Sequence, residues 1–248
     1  MQPNSPDTKS AGIIIIGNEI LSGKIIDANS SFLASELRAL GVNVMRITVI
    51  PDDVQTIGDE AFLFSGHFDH VFTSGGIGPT HDDVTIEGIA HGFGVNMVPH
   101  PILVEWFKNR YGDSVNEAVM KMTLIPEGAD LLGTGGRNLP VVLFKNIVVF
   151  PGIPELLKRK FLSIKGRFRC ANFLIKRLFI KAEESSIADS LREVSAKNPD
   201  ITIGSYPIIG NSEYSIIITA ESKSDETLKR AVSELLRLLP ERIIFRVE

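Results

Sequence analysis

Four consecutive isoleucines, Ile13–Ile16, stop abruptly at Gly17. A strand with β-branched residues on both faces leaves no side for water, so it must be covered from above and below. That requirement selects a parallel sheet with helices on both faces. The following segments comply: Leu33 and Leu37 lie four apart within a helix expected over residues 29–40, with Gly41 as its stop. Residues 42–50 alternate like a strand, 54–64 read as a helix, 70–73 as a short strand, and Asp82 and Asp83 open a helix running to about Gly92. Such alternation predicts βαβ units, whose right-handed crossovers carry the loops after Ile50 and Thr73 to one carboxyl edge of the sheet. Residues 101–121, carrying Trp106, read as one helix. Residues 147–150 read as a strand closed by Pro151-Gly152-Ile153-Pro154, with a further helix from near Glu155.

After Cys170 the order changes to strand (173–181), helix (186–196), a hairpin (201–209 and 213–220), a helix over 225–239 capped by Ser224, and a last strand over 241–247. That βαββαβ order describes a small α+β domain. The expectation is therefore a disordered leader over residues 1–10, a three-layer, mostly parallel α/β domain over 11–170, and the small domain over 171–248.

The net charge of −4 gives no global attraction to nucleic acid or to an anionic membrane, and the second domain lacks a Gly-x-x-Gly loop. Cys170 is the only cysteine, which excludes an intramolecular disulfide framework, and no apolar stretch approaches ~18 residues. These features read as a soluble, cytoplasmic protein. Between Leu156 and Lys181 stand nine Lys or Arg and no acid; this is read as a solvated helix face and domain junction, against an anion-attracting wall.

The richest string is Thr73-Ser74-Gly75-Gly76-Ile77-Gly78-Pro79-Thr80, running on through His81-Asp82-Asp83 to Thr85. Glycines after a strand and before a helix let backbone amides approach an anion, and the helix start adds partial positive charge. Ser74 and Thr80 are candidate hydroxyl donors, and Gly75, Gly76 and Gly78 the phosphate cradle. Asp82 and Asp83 either offset the helix dipole or hold a hard cation bridging to phosphate; His81 extends that set to a softer ion, or is a plain loop residue. Asp52 and Asp53 cap a helix or face the same crevice, as Gly17, Asn18 and Glu19 do after the first strand. Asp27 and Asn29 read as the cap of the first long helix. Pro151 and Gly152 form a rigid turn whose neighbouring amides either line a ligand or only connect two elements. No Gly-x-Ser-x-Gly elbow is present, so the carboxylates favour metal-assisted attack by water.

In order, GNEILSGKIIDANSSFLASELRALG, VIPDD, TSGGIGPTHDDVT and FPGIPEL resemble the molybdopterin-binding domain family of MoaB, MogA and CinA. The likeness is greatest to the corresponding N-terminal region of eukaryotic FAD synthase, through His81 in GGIGPTHDD and the stretch over residues 133–143, which lacks an Ala-Pro-Gly turn. The second domain, with Gly204-Ser205-Tyr206-Pro207, is similar to the KH-like domain that follows in CinA and FAD synthase. The resemblance implies hydrolysis of a dinucleotide pyrophosphate such as FAD or ADP-ribose with a divalent metal (Mg²⁺, Mn²⁺ or Co²⁺) and K⁺, or else binding of a flavin nucleotide or molybdopterin without turnover. It assigns Asp52 and Asp83 to the acidic site; for the hydrolysis itself, Glu19 is a candidate base. Gly75, Gly76, Gly78, Thr80 and Asp82 fall to the phosphate loop, and Gly17, Glu19 and Asn29 to the first motif. It also implies a homo-oligomer, dimer or trimer. Nothing here resembles the region in which FAD synthase adenylylates FMN, so that reaction is not expected of this chain alone.

Overall fold

The computed structural model describes residues 9–133 and 139–248, which form two compact units, one ending at Cys170 and one beginning at Ala171. The first contains β1 (Ser10–Ile16), α1 (Asn18–Leu21), α2 (Asn29–Ala39), β2 (Asn43–Ile50), α3 (Val54–His67), β3 (His70–Ser74) and α4 (Thr85–Gly92). It continues with β4 (Met97–Pro99), α5 (Pro101–Tyr111), α6 (Glu117–Lys121), β5 (Leu124–Pro126), β6 (Asp130–Leu132), β7 (Val141–Phe144), β8 (Ile147–Phe150) and α7 (Pro154–Ile164). The main sheet runs β2-β1-β3-β8-β7-β6, with β2, β1, β3 and β8 parallel and β7 antiparallel to both its neighbours.

The isoleucine run explains the three layers. Ile13 and Ile15 pack with Leu33 and Leu37 of α2 and Leu157 and Phe161 of α7, while Ile14 and Ile16 pack with Ile57 and Phe64 of α3 and Ile89 of α4. Each turn of the pleat feeds the opposite core, so no position was open to a polar residue. Because β2 lies on one side of β1 and β3 on the other, the loops after β1 and β3 diverge and leave a crevice between them. Helices α3 and α4 meet backbone to backbone. A Cβ on Gly58 would lie 2.8 Å from the carbonyl oxygen of Gly88 and 3.0 Å from the amide of Gly92, and one on Gly92 would run into Gly58.

Several expectations need correction. Helix α4 starts at Thr85, because Asp83 turns its carboxylate back to Thr80 and caps nothing. The single helix expected over 101–121 is two: Gly112, at φ 52°, ends α5, and Asn116 restarts the chain by accepting from the Val119 amide at 3.0 Å. Strands β4, β5 and β6 went unread because each has three residues, too few for a period to show. Of the expected leader, residues 1–8 lie outside the described residues, as do 134–138 of the stretch 133–143.

Ser10 is already part of β1. Asp69 accepts from its amide at 2.9 Å, from its hydroxyl at 2.8 Å and from the Lys9 ammonium at 2.8 Å. Burial pushes the Asp69 carboxyl up, but these donors outweigh it and hold the group at about 2. A carboxyl held below its unfolded value of about 3.9 stabilises the fold above that pH and loses the contribution as pH falls towards 2. Asp69→Asn is therefore expected to lower stability by about 1–2 kcal/mol at pH 7. Urea midpoints should converge with wild type between pH 4 and pH 2; a gap that persists at low pH would rule out this pair as the cause.

The second unit comprises β9 (Leu174–Ile180), α8 (Glu184–Lys197), β10 (Thr202–Pro207), β11 (Ile216–Ser222), α9 (Asp225–Leu238) and β12 (Ile244–Val247). This is the expected βαββαβ order. Its antiparallel sheet runs β10-β11-β9-β12, with Leu178, Ile180, Ile216 and Ile218 facing Ile187, Val194, Leu228 and Leu235 of the two helices. Ser224 caps α9, accepting from the Thr227 amide at 3.2 Å. Among the described residues, no helix is long and apolar enough to cross a membrane.

Candidate functional site

The glycine turn is shaped by what its carbonyls do. Gly75, at φ 111°, sits so close to Ile16 that any Cβ would collide with its carbonyl oxygen, and Gly76 follows at φ 59°. The Thr85 hydroxyl donates to the Gly75 carbonyl at 2.8 Å and the Thr85 amide to the Gly76 carbonyl at 3.0 Å. With the carbonyls held against the start of α4, the amides of Gly76, Ile77 and Gly78 find no protein acceptor among the described residues. A second, shorter run stands after β8, where the amides of Gly152 and Ile153 likewise find no acceptor among the described residues and α7 starts at Pro154 without a side-chain cap. Both runs line one crevice of about 510 Å³, together with Glu19, Asn29 and Asp83. A Cβ placed on Gly152 would sit 3.4 Å from the Gly75 Cα, so the two turns touch through their glycines.

The paired aspartates after β2 divide their tasks. Asp53 caps α3, accepting from the Thr56 amide at 2.8 Å and hydroxyl at 2.7 Å, and those bonds hold its carboxyl below the usual range. Asp52 instead accepts from the Asn18 amide at 2.8 Å, and its other oxygen lies 3.4 Å from where a Gly76 Cβ would be. This carboxylate therefore stands beside the amide cup. Gly17 donates to Ile50 at 3.1 Å, fixing the start of α1, and the Glu19 carboxylate folds back against Gly17.

Asn29 has a larger role than capping. Asp27 caps α2, accepting from the amides of Asn29 at 2.8 Å and Ser30 at 3.1 Å. The Asn29 amide group donates to the Ser74 hydroxyl at 2.9 Å and the Gly152 carbonyl at 2.7 Å, joining β3, the turn after β8 and α2. Asn29 is 6% exposed, and its own oxygen is buried without a partner. The family resemblance carried Asn29 as part of the first motif, but its local sequence read only as a helix cap.

Two expected hydroxyl donors are corrected. Ser74, 1% exposed, donates to the Pro151 carbonyl at 3.3 Å, and the Thr80 hydroxyl donates to Asp83 at 2.5 Å. Both protons are committed inside the protein, so these residues position the loop. The Thr80 amide also donates to Asp83, at 2.8 Å, and Lys121 donates to the Thr80 carbonyl at 3.0 Å. The Thr80 hydroxyl lies close enough to Asp82 to lower its carboxyl too. His81 is 99% exposed, 3.9 Å from Asp82. Among the described residues no group of three or more His, Cys, Asp or Glu side chains could hold a metal ion, so His81, Asp82 and Asp83 are not gathered into a protein-only cage.

Residues 12–167 match the family described as "Probable molybdopterin binding domain", and residues 172–248 match "FAD synthase, middle domain". The chain is 34% identical to a "Probable FAD synthase" of Caenorhabditis elegans over 98% of its own length, and it spans 52% of that protein. A protein of Archaeoglobus fulgidus is 35% identical, with 93% of this chain and 98% of that one covered. Among solved structures, the CinA protein of unknown function from Thermoplasma acidophilum superposes with a TM-score of 0.60 at 28% identity, covering 65% of this chain and 99% of that one. Mostly parallel sheet, glycine turn and sequence likeness agree: the chain belongs to the molybdopterin-binding domain family, joined here to the middle domain of FAD synthases.

Proposed function

We propose that the first unit binds the pyrophosphate of a dinucleotide on its amide cup and, with a divalent cation, hydrolyses FAD to FMN and AMP, or ADP-ribose to AMP and ribose 5-phosphate. The observation that carries this reading is the pair of free amide runs, 76–78 and 152–153, fronting one crevice beside Asp52. Such amides stabilise charge on phosphate oxygens without reorganising, and the α7 start adds a favourable dipole. The donor set fits a cation carried mainly by phosphate oxygens, with Asp52 as its protein carboxylate, and does not fit a protein-only cage. When bound, that cation neutralises phosphate charge and acidifies water. On this reading Glu19, which lines the crevice, takes the proton of the attacking water. Water adds to one phosphorus and the bridging oxygen leaves, so both products carry a terminal phosphate.

Purified chain incubated with FAD, NAD, ADP-ribose and ATP, each with Mg²⁺, Mn²⁺ or Co²⁺ and with or without K⁺, is expected to release AMP from FAD or ADP-ribose. Chromatography showing no product above a Gly76→Ala control in any combination would end the catalytic reading. The binding reading rests on one observation, that Asp83 is tied to Thr80 and joins no acidic cluster. On that view the same crevice holds a flavin nucleotide or pterin phosphate and serves FAD synthesis without turnover. Saturable binding with the ligand recovered intact would select it.

A further inference from the structure

A second hollow, of about 350 Å³, opens on the other side of the glycine turn. Gly76, Ile77, Gly78 and Asp83 line both it and the crevice. Its walls are mainly apolar, with Ile86, Met97, Phe107, Met122, Leu124 and Val142 drawn from α4 and from the insertion between β4 and β8. Two ammonium groups and the Glu87 carboxylate also border it. Lys121 donates to the Thr80 carbonyl, and Lys160 to the carbonyls of Leu139 and Pro140. An ammonium has three donors, so Lys121 keeps two and Lys160 keeps one. Burial, with Arg159 nearby, lowers Lys160 to about 8, which leaves it charged at neutral pH.

We propose that this chamber seats the isoalloxazine ring of a flavin nucleotide whose phosphates lie on the glycine turn. The inference rests on the phosphate reading of that turn. The volume falls within the range of about 300–1,000 Å³ usual for small-molecule sites, and apolar walls with a few polar groups match their usual lining. An isoalloxazine is apolar at its dimethylbenzene end and carries two carbonyl acceptors at the other, which suits apolar walls bordered by ammonium donors. A pterin has no apolar end to match those walls, and adenine has no pair of carbonyl acceptors for the two ammonium groups. Met97 and Met122 are unbranched and adapt to a flat ring, and Phe107 offers an aromatic partner. Because the two hollows share the turn as a common rim, a dinucleotide with its pyrophosphate there has room for one arm on each side.

The test uses the full chain and three probes. Riboflavin has no phosphate and reads the chamber alone, ADP-ribose has no flavin and reads the turn alone, and FAD reads both. Met122→Trp fills the chamber from the end of α6, and Met97→Trp fills it from β4; urea midpoints establish that each variant is folded. Wild type is expected to bind all three, with flavin fluorescence quenched. Either tryptophan variant should weaken riboflavin and FAD about tenfold or more and leave ADP-ribose within about twofold. Riboflavin failing to bind wild type while ADP-ribose binds would overturn the chamber and leave the turn standing. ADP-ribose failing while riboflavin binds would overturn the turn reading, and with it the joint placement. Equal loss of ADP-ribose and FAD in folded variants would put adenosine in the chamber, and unchanged flavin binding in both would overturn the proposal outright.

Discussion

Gly75→Ala is expected to lower the stability of the first unit by about 3 kcal/mol or more and to abolish nucleotide binding. The position has φ 111°, and an added methyl collides with the Ile16 carbonyl oxygen, which belongs to a buried central strand and cannot move aside. A side chain at positive φ costs about 1–2 kcal/mol and overpacking about 1–3 kcal/mol more. For a domain of this size the melting temperature should drop by about 6–12 °C. The only relief is for the turn to swing away from β1, which would pull the amides of Gly76, Ile77 and Gly78 out of register with those of Gly152 and Ile153. Calorimetric melting alone and with ADP-ribose reads both effects. A variant that melts like wild type and still gains stability from ligand would show that the turn does not depend on its contact with β1.

The second large effect falls on the proposed hydrolysis. Asp52→Asn keeps an oxygen to accept from the Asn18 amide, so the start of α1 should stay in place. What disappears is the carboxylate charge that stands against Gly76, while those of Asp83 and Glu19 remain along the crevice. The rate at saturating FAD and metal is expected to fall on the order of 100-fold, with affinity for FAD in metal-free buffer within about threefold. Asp53→Asn is the matched control: asparagine caps a helix about as well as aspartate, so stability and rate should both change little. If the two variants lost activity equally, Asp52 would have no special part in the chemistry.

How much of this was legible beforehand depended on how locally each feature is encoded. The isoleucine run announced a central strand because burial on both faces leaves a mark in four adjacent residues. The glycine turn was legible for the same reason, since the positive φ of Gly75 and Gly76 is a local requirement, whereas the contact of Gly75 with Ile16 left no mark in the sequence. The division of labour between Asp52 and Asp53 was not. Both precede α3, and only the pairing of β1 with β2 brings the Asn18 amide to one of them. Asp83 misled because an acid just before a helix ordinarily caps it, whereas here the Thr80 amide and hydroxyl are nearer. Lys121 and Lys160 carried no mark at all. They reach the second hollow from α6 and α7, and nothing in their own neighbourhoods records that meeting.

Where α3 crosses α4, Gly58 and Gly92 put backbone against backbone and Gly88 leaves room only for the Ile57 side chain. Asp52 stands just before α3, and the amide cup just before α4. Two rods clamped together transmit any change in their separation to their ends. The gauge between carboxylate and amides is thus set partly at a place no ligand visits. Evolution could retune the fit of the crevice to a longer or shorter phosphate bridge by adding or removing a single methyl group there, without altering one residue of the lining.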